Sequence, residues 1–257
     1  MKAASEFIDR LIQDKLKVLP PGRSFTGAGH KDAPHTGTVV IAYPYNRGIL
    51  FGADRQVTWG MSKIFRSNFQ KIQKVTDFSG VAFCGTVSMC QFIADIYQEL
   101  MLKLEMRTSG ELPLKNQVNI FHRLMRMVAF ANDGDAGAAF LFAGLDRKNR
   151  QGVLLEFQSG GSLYHPESVY LVSGSGYLEA NGILKDFWKK IKSPKEVQEK
   201  DAIALALRAI TGSAESDVAV GHPELQSSTI ALIDAEKGMR FVEQDEILAA
   251  IRKGGRK

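Results

Sequence analysis

The chain has 257 residues, 44% hydrophobic and 24% charged, with a formal net charge of +5. This composition suits a globular protein with one sizeable core. It excludes a helical membrane span, since no apolar run approaches the ~18–20 residues a bilayer needs, and a disulfide scaffold, since Cys84 and Cys90 are the two cysteines and no CxxC clip is present.

The leader differs in character from the rest of the chain. Residues 5–18 read as an amphipathic helix, with Phe7, Leu11 and Val18 toward one side. Pro20-Pro21-Gly22 ends it, and residues 22–37 are rich in Gly, Ser, His and Pro, as in an exposed, cleavable loop. Charges interrupt the apolar residues of 1–20, so no secretory signal is expected there and the expected compartment is the cytoplasm.

From Thr38 the pattern changes. Two short apolar runs, 38–43 and 48–53, flank Pro44-Tyr45-Asn46-Arg47 and read as a hairpin. A second pair, 70–75 and 80–84, comes next. Gly85-Thr86 opens a helix to about residue 105, with Phe92, Ile93, Ile96, Leu100 and Leu104 at helical spacing, and a second helix covers 114–132. Strands return at 138–145, 153–157 and 169–173, then helices at 177–191 and 200–211. Strands at 228–233 and 239–242 and a short helix from Gln244 finish the chain. Hairpins outnumber crossovers, which favours α+β: two antiparallel sheets face to face with helix pairs outside. The basic end, residues 252–257, reads as a solvated tail. With no aromatic-interleaved basic stripe, neither nucleic acid nor membrane is expected as a partner.

The chemistry points to Thr38. Cutting the Gly37–Thr38 bond would give Thr38 a free α-amine beside its hydroxyl, a base and a nucleophile in one residue. A nearby Lys⁺ would keep that amine neutral, and the Lys needs a carboxylate to stay fixed. Asp54, at a strand end, and Lys71, on the next strand, are the candidates. Gly85, at a strand-to-helix junction, offers a backbone N–H for an oxyanion. Ser173-Gly174-Ser175-Gly176 lacks phosphate-loop spacing; a Ser hydroxyl there suits the steadying of an amine. His30, His35, His122, His165 and His222 are scattered without metal-ligand spacing, and no GxSxG elbow is present, so no metal or cofactor is expected.

Taken together, Thr38 after Gly37, Gly52-Ala53-Asp54-Arg55, Gln70-Lys71-Ile72, Cys84-Gly85-Thr86, Gly174-Ser175-Gly176 and Ser216-Asp217 with Gly221 beyond resemble the proteasome β-subunits of bacteria that carry a 20S-type particle. The resemblance runs from Thr38 to about Val242. It implies the four-layer αββα sandwich of N-terminal nucleophile hydrolases, with residues 1–37 a propeptide removed on maturation and residues 38–257 one catalytic domain. It assigns Thr38 as nucleophile and, through its amine, as base. Asp54 and Lys71 become its charged partners, Gly85 the oxyanion donor, and Ser175 and Asp217 the pair that steadies the N-terminus. Val57, Phe69, Phe83 and Val87 become walls of an apolar substrate pocket. It implies a homo-heptameric β ring in two stacked copies capped by α-subunit rings, an ATPase unfoldase partner and polypeptide substrates. The chain departs from the pattern at Val39 and Val220, and by one extra residue between Asp54 and Lys71, where Lys74 competes for the role. A non-catalytic ring subunit, the peptidase of a two-ring heat-shock protease and a small-molecule amidase are the rival readings.

Overall fold

The computed structural model describes residues 2–17, 34–35, 38–59, 63–66, 69–223 and 228–254. The first sheet holds five strands. β2 (Val40–Tyr45) and β3 (Gly48–Asp54) form a hairpin through Asn46-Arg47; β3 pairs with β12 (Ser228–Asp234), which pairs with β13 (Gly238–Phe241). β11 (Leu171–Ser173) closes the other edge against β2. Pro44 sits within β2 without breaking the sheet because β11 pairs only with residues 40–42, leaving the backbone at Pro44 without a β11 partner.

The second sheet runs β10 (Leu163–Tyr164), β9 (Gln151–Phe157), β8 (Ala138–Asp146), β7 (Ser79–Gly85) and β6 (Ile72–Thr76), all antiparallel. α2 (Val87–Thr108) and α3 (Leu114–Ala131) cover its outer face; α4 (Tyr177–Trp188) and α5 (Glu199–Ser216) cover that of the first sheet, and α6 (Gln244–Gly254) packs on α5.

The strands are apolar on both faces, because each sheet lies between two layers. Along β2, Val40 and Ala42 enter the layer between the sheets with Phe51, Ala82, Leu141 and Leu171, while Val39, Ile41 and Tyr43 pack beneath α4 and α5 with Ala206 and Ile210. On the other side Val81, Phe83 and Phe140 meet Ile93, Tyr97 and Phe121. This is the αββα sandwich.

One part of the chain departs from the expectation, and a second adds to it. A small sheet joins β1 (Pro34–His35), β4 (Gln56–Trp59) and β5 (Lys63–Arg66), with Pro34 opposite Trp59 and His35 opposite Thr58. Composition alone places residues 34–35 in a loop; backbone pairing with a strand brought up from 56–59 makes them extended. The leader helix, α1 (Lys2–Leu16), is docked on α2 and α3, with Ile12 fully buried.

Candidate active site

Thr38, Asp54 and Lys71 meet at one end of the paired sheets, all fully buried. Thr38 leads into β2 and Asp54 ends its hairpin partner β3, so the antiparallel register brings the two residues side by side. The Asp54 N–H donates to the Val39 carbonyl, and the Val39 N–H donates to Asp54 Oδ1 at 3.1 Å. Lys71 precedes β6 in the other sheet, where its carbonyl accepts the Phe83 N–H of β7. Its ammonium crosses between the sheets to donate to Thr38 Oγ1 at 2.6 Å and to Asp54 Oδ1 at 2.8 Å. Lys74 lies at the surface, paired with Asp77.

The Asp54 carboxylate is held on every side. Besides Lys71 and Val39, the N–H groups of Gln56 and Gly221 each donate to Oδ2 at 3.0 Å. Burial pushes the Asp54 carboxyl up; Lys71 and the N–H groups of Gly221 and Val39 oppose the rise. Burial likewise pushes the Lys71 ammonium down, opposed by Asp54 and by the nearby Cys84 and Cys90 thiols. Lys71 therefore gives up a proton more readily than a surface lysine does.

The loop after β11 cradles the Thr38 backbone. The Thr38 N–H donates to Ser175 Oγ at 3.0 Å, and the Thr38 carbonyl accepts from the Gly176 N–H at 3.1 Å. Gly174 has a positive φ of 103°, and a Cβ on it would lie 2.1 Å from the Thr38 carbonyl oxygen, so the approach needs glycine. Gly85 closes β7 opposite Ala138 with φ 127°, and a Cβ there would meet the Gly137 carbonyl oxygen at 2.5 Å.

The remaining assignments separate. Asp217, the C-cap of α5, is held within its own turn: its Oδ1 accepts from the Ala219 N–H at 2.9 Å and its carbonyl from the Val220 N–H. That turn brings Gly221 onto Asp54. Of the pair expected to steady the N-terminus, Ser175 is the one on the Thr38 nitrogen. Of the expected pocket walls, Phe83 belongs to the core: its side chain packs on Phe140 (ring centroids 5.6 Å apart) and Phe69 (6.1 Å) beneath α2 and α3. Its parity with Val81 on β7 turns it toward the helices. Val57, Phe69 and Val87 are partly exposed. Gly37 lies outside the described residues. A concavity of about 760 Å³ opens at the far end of β2, lined by Tyr45, Arg47 and Arg150, away from Thr38. Among the described residues no cluster of His, Cys, Asp or Glu could hold a metal, and no helix is long and apolar enough to cross a membrane.

Sequence reasoning missed the donors on Asp54. The Gln56 N–H two residues on follows the ordinary Asx pattern and was findable. The Gly221 N–H, 167 residues away in sequence, was not.

A four-layer αββα sandwich with a buried Thr–Lys–Asp cluster at the mouth of its paired sheets defines the class. Within that class, the model of the proteasome subunit family matches residues 34–223, and the chain belongs to that family. Relatives named proteasome subunit beta include one from Streptomyces griseus, 26% identical over 95% of this chain and 85% of its own length. Another, from Saccharomonospora viridis, is 29% identical over 94% of this chain and 86% of its own.

Proposed function

We propose that the chain is the catalytic β-subunit of a bacterial 20S-type proteasome, a threonine endopeptidase made as a precursor. The observation that carries the reading is the contact of Lys71 Nζ with Thr38 Oγ1 at 2.6 Å, with Asp54 2.8 Å behind it, all three fully buried. Burying an ion pair is costly, and a hydroxyl on its ammonium adds little to stability; chemistry gives it a use.

Cleavage of the Gly37–Thr38 bond turns the Thr38 amide nitrogen into an α-amine with an ordinary pKa of about 7.7–8.0. The Lys71 charge lowers that value, so the amine is neutral and basic near pH 7. As Thr38 Oγ1 attacks a substrate carbonyl carbon, the amine takes the hydroxyl proton, and the oxyanion faces the Gly85 N–H. The amine returns the proton to the departing nitrogen as the C–N bond breaks, leaving an ester on Thr38. Water, losing a proton to the same amine, attacks the ester; the acid product leaves and Oγ1 recovers its proton. No step needs a cofactor or metal. Before cleavage the nitrogen is an amide and cannot serve as base, so residues 1–37 hold the enzyme as a zymogen.

Val57, Phe69 and Val87 offer burial without a partner for charge, which favours apolar residues on the acyl side of the cut bond. The relatives are named as β-subunits of a proteasome, which supports assembly into a ring particle; the form proposed is a homo-heptameric β ring stacked with α-subunit rings, served by an ATPase unfoldase that delivers unfolded polypeptides in the cytoplasm. The test is intact mass and N-terminal sequencing of assembled particles. A chain beginning at Thr38, with peptide hydrolysis, both lost in Thr38→Ala, is the expected outcome. Assembled particles that keep residues 1–37 would instead mark a non-catalytic ring subunit.

A further inference from the structure

The loop that cradles Thr38 hangs from a weak element. β11 is three residues long and, among the described residues, lies at a sheet edge and pairs only with β2. Short edge strands fray, yet Gly174 and Gly176 must keep the Thr38 backbone in place to a fraction of an ångström. Ser173, the last residue of β11 and opposite Val40, shares the inward face with Leu171. Its Oγ donates to Glu156 Oε1 at 3.2 Å, on β9 of the other sheet. Cys84 Sγ is 3.5 Å from the same Oγ; with that hydroxyl proton on Glu156, the thiol is the donor. Cys84 precedes Gly85. One chain of polar contacts, Cys84 to Ser173 to Glu156, thus links the strand ending at the oxyanion donor with the loop that holds the nucleophile.

Glu156 is an unusual residue for this place. It shares the inward face of β9 with Leu154, between two sheets filled mostly with apolar side chains, and stands opposite Leu141 of β8. Burial pushes its carboxyl up, and hydrogen bonds from Ser173 and Gln158 work against the rise. Half-buried in such a layer, the carboxylate is held by hydrogen bonds from Ser173 and Gln158, and Ser173 is the partner that ties it to the first sheet.

Resting on the reading of Thr38 as nucleophile, we propose that Glu156 is a positioning residue. Through Ser173 it clamps the end of β11 to the opposite sheet and sets the Thr38 cradle relative to Gly85. It touches neither substrate nor the reacting atoms.

The test uses processed, assembled particles of the full chain carrying Glu156→Ala, Glu156→Gln, Ser173→Ala and the Ala–Ala double substitution, read by steady-state peptide hydrolysis and by amide hydrogen exchange. Loss of the bridge is expected to lower kcat about tenfold or more with KM changed less than about twofold, since geometry at the reacting centre is affected and not binding. Glu156→Gln keeps an acceptor for Ser173 and recovers most of kcat. The double substitution is no worse than either single one, as two ends of one bridge require. Exchange at residues 174–177 quickens while that of β12 does not. Unchanged kcat and unchanged exchange in Glu156→Ala would overturn the proposal, as would additive losses or a Gln variant as impaired as Ala. If Glu156→Ala does not assemble, Ser173→Ala reads the same bridge and decides alone. Wild-type particles that hydrolyse no peptide would defeat the peptidase reading, and the exchange data would still decide whether the bridge exists.

Discussion

Lys71 is the residue on which structure and chemistry meet. Removing it in Lys71→Ala leaves Asp54 buried but still holding the N–H groups of Val39, Gln56 and Gly221. The stability loss therefore falls at the low end of the range for a broken buried pair, about 3 kcal/mol, and the chain still folds. Hydrolysis is lost. Pairing Lys71→Met with Asp54→Asn removes both charges but sets the Asn NH2 against a backbone N–H, so it is expected to restore only part of the stability and none of the activity, read by thermal unfolding beside peptide turnover. If the double variant regains turnover, Lys71 has no part in the chemistry. The residues of this cluster stand out in sequence because each sits at a strand end beside a recurrent short motif. Phe83 and Asp217 were harder. An apolar residue near a strand end has two faces open to it, and only the packing of α2 and α3 fixes which one Phe83 takes. Asp217 sits at a helix end, where a carboxylate serves its own turn as readily as a distant amine.

At the scale of elements, the sandwich was legible because hydrophobic period and turn residues agree along most of the chain: Asn46-Arg47 between β2 and β3, and the helical spacing of Ile93, Ile96 and Leu100 on α2. β4 and β5 were not legible. Each is four residues long and together they stand outside the two main sheets, so the alternation that marks a half-buried strand has too few positions to register. The contacts between elements at the site, Cys84 to Ser173 across 89 positions for one, leave no local signal at all. The loop after β11 shows what such contacts demand. Gly174→Ala would put a methyl 2.1 Å from the Thr38 carbonyl oxygen at a φ that alanine resists. We expect a stability cost of about 1–3 kcal/mol, taken up by displacement of the loop. Cleavage at Gly37–Thr38 would slow by about tenfold or more, followed by mass over time after assembly. Processing at the wild-type rate would mean that the cradle is not needed for the cut.

On the scale of the whole molecule, the leader is bound at two places, β1 on β4 and α1 on the outer helices. The grip of α1 is specific: Ile12 is fully buried, the Arg107 guanidinium lies 3.8 Å from the centre of the Phe7 ring, Lys15 pairs with Glu99 at 2.6 Å, and Asp9 pairs with Arg123. A lone 15-residue helix is marginal in water, so α1 depends on this docking for its form. It packs on α2 and α3, where Ile12 joins an apolar cluster filled for the most part by Phe121, Leu124 and other residues of α2, α3 and the strands beneath. Ile12→Ala, costing about 2–5 kcal/mol, removes a large share of what holds α1 and little of what holds the sandwich. The expected result is local: amide exchange in residues 2–16 rises about thirtyfold or more, while β3 and β12 exchange as before and the main thermal transition stays put. A fall of the whole transition would instead make α1 part of the cooperative core. The distinction matters for the maturation proposed above. While the chain is intact, its tether keeps α1 at high effective concentration beside its groove. Once Gly37–Thr38 is cut, only the docking remains, and a locally held helix can leave without disturbing the sheets that carry Thr38.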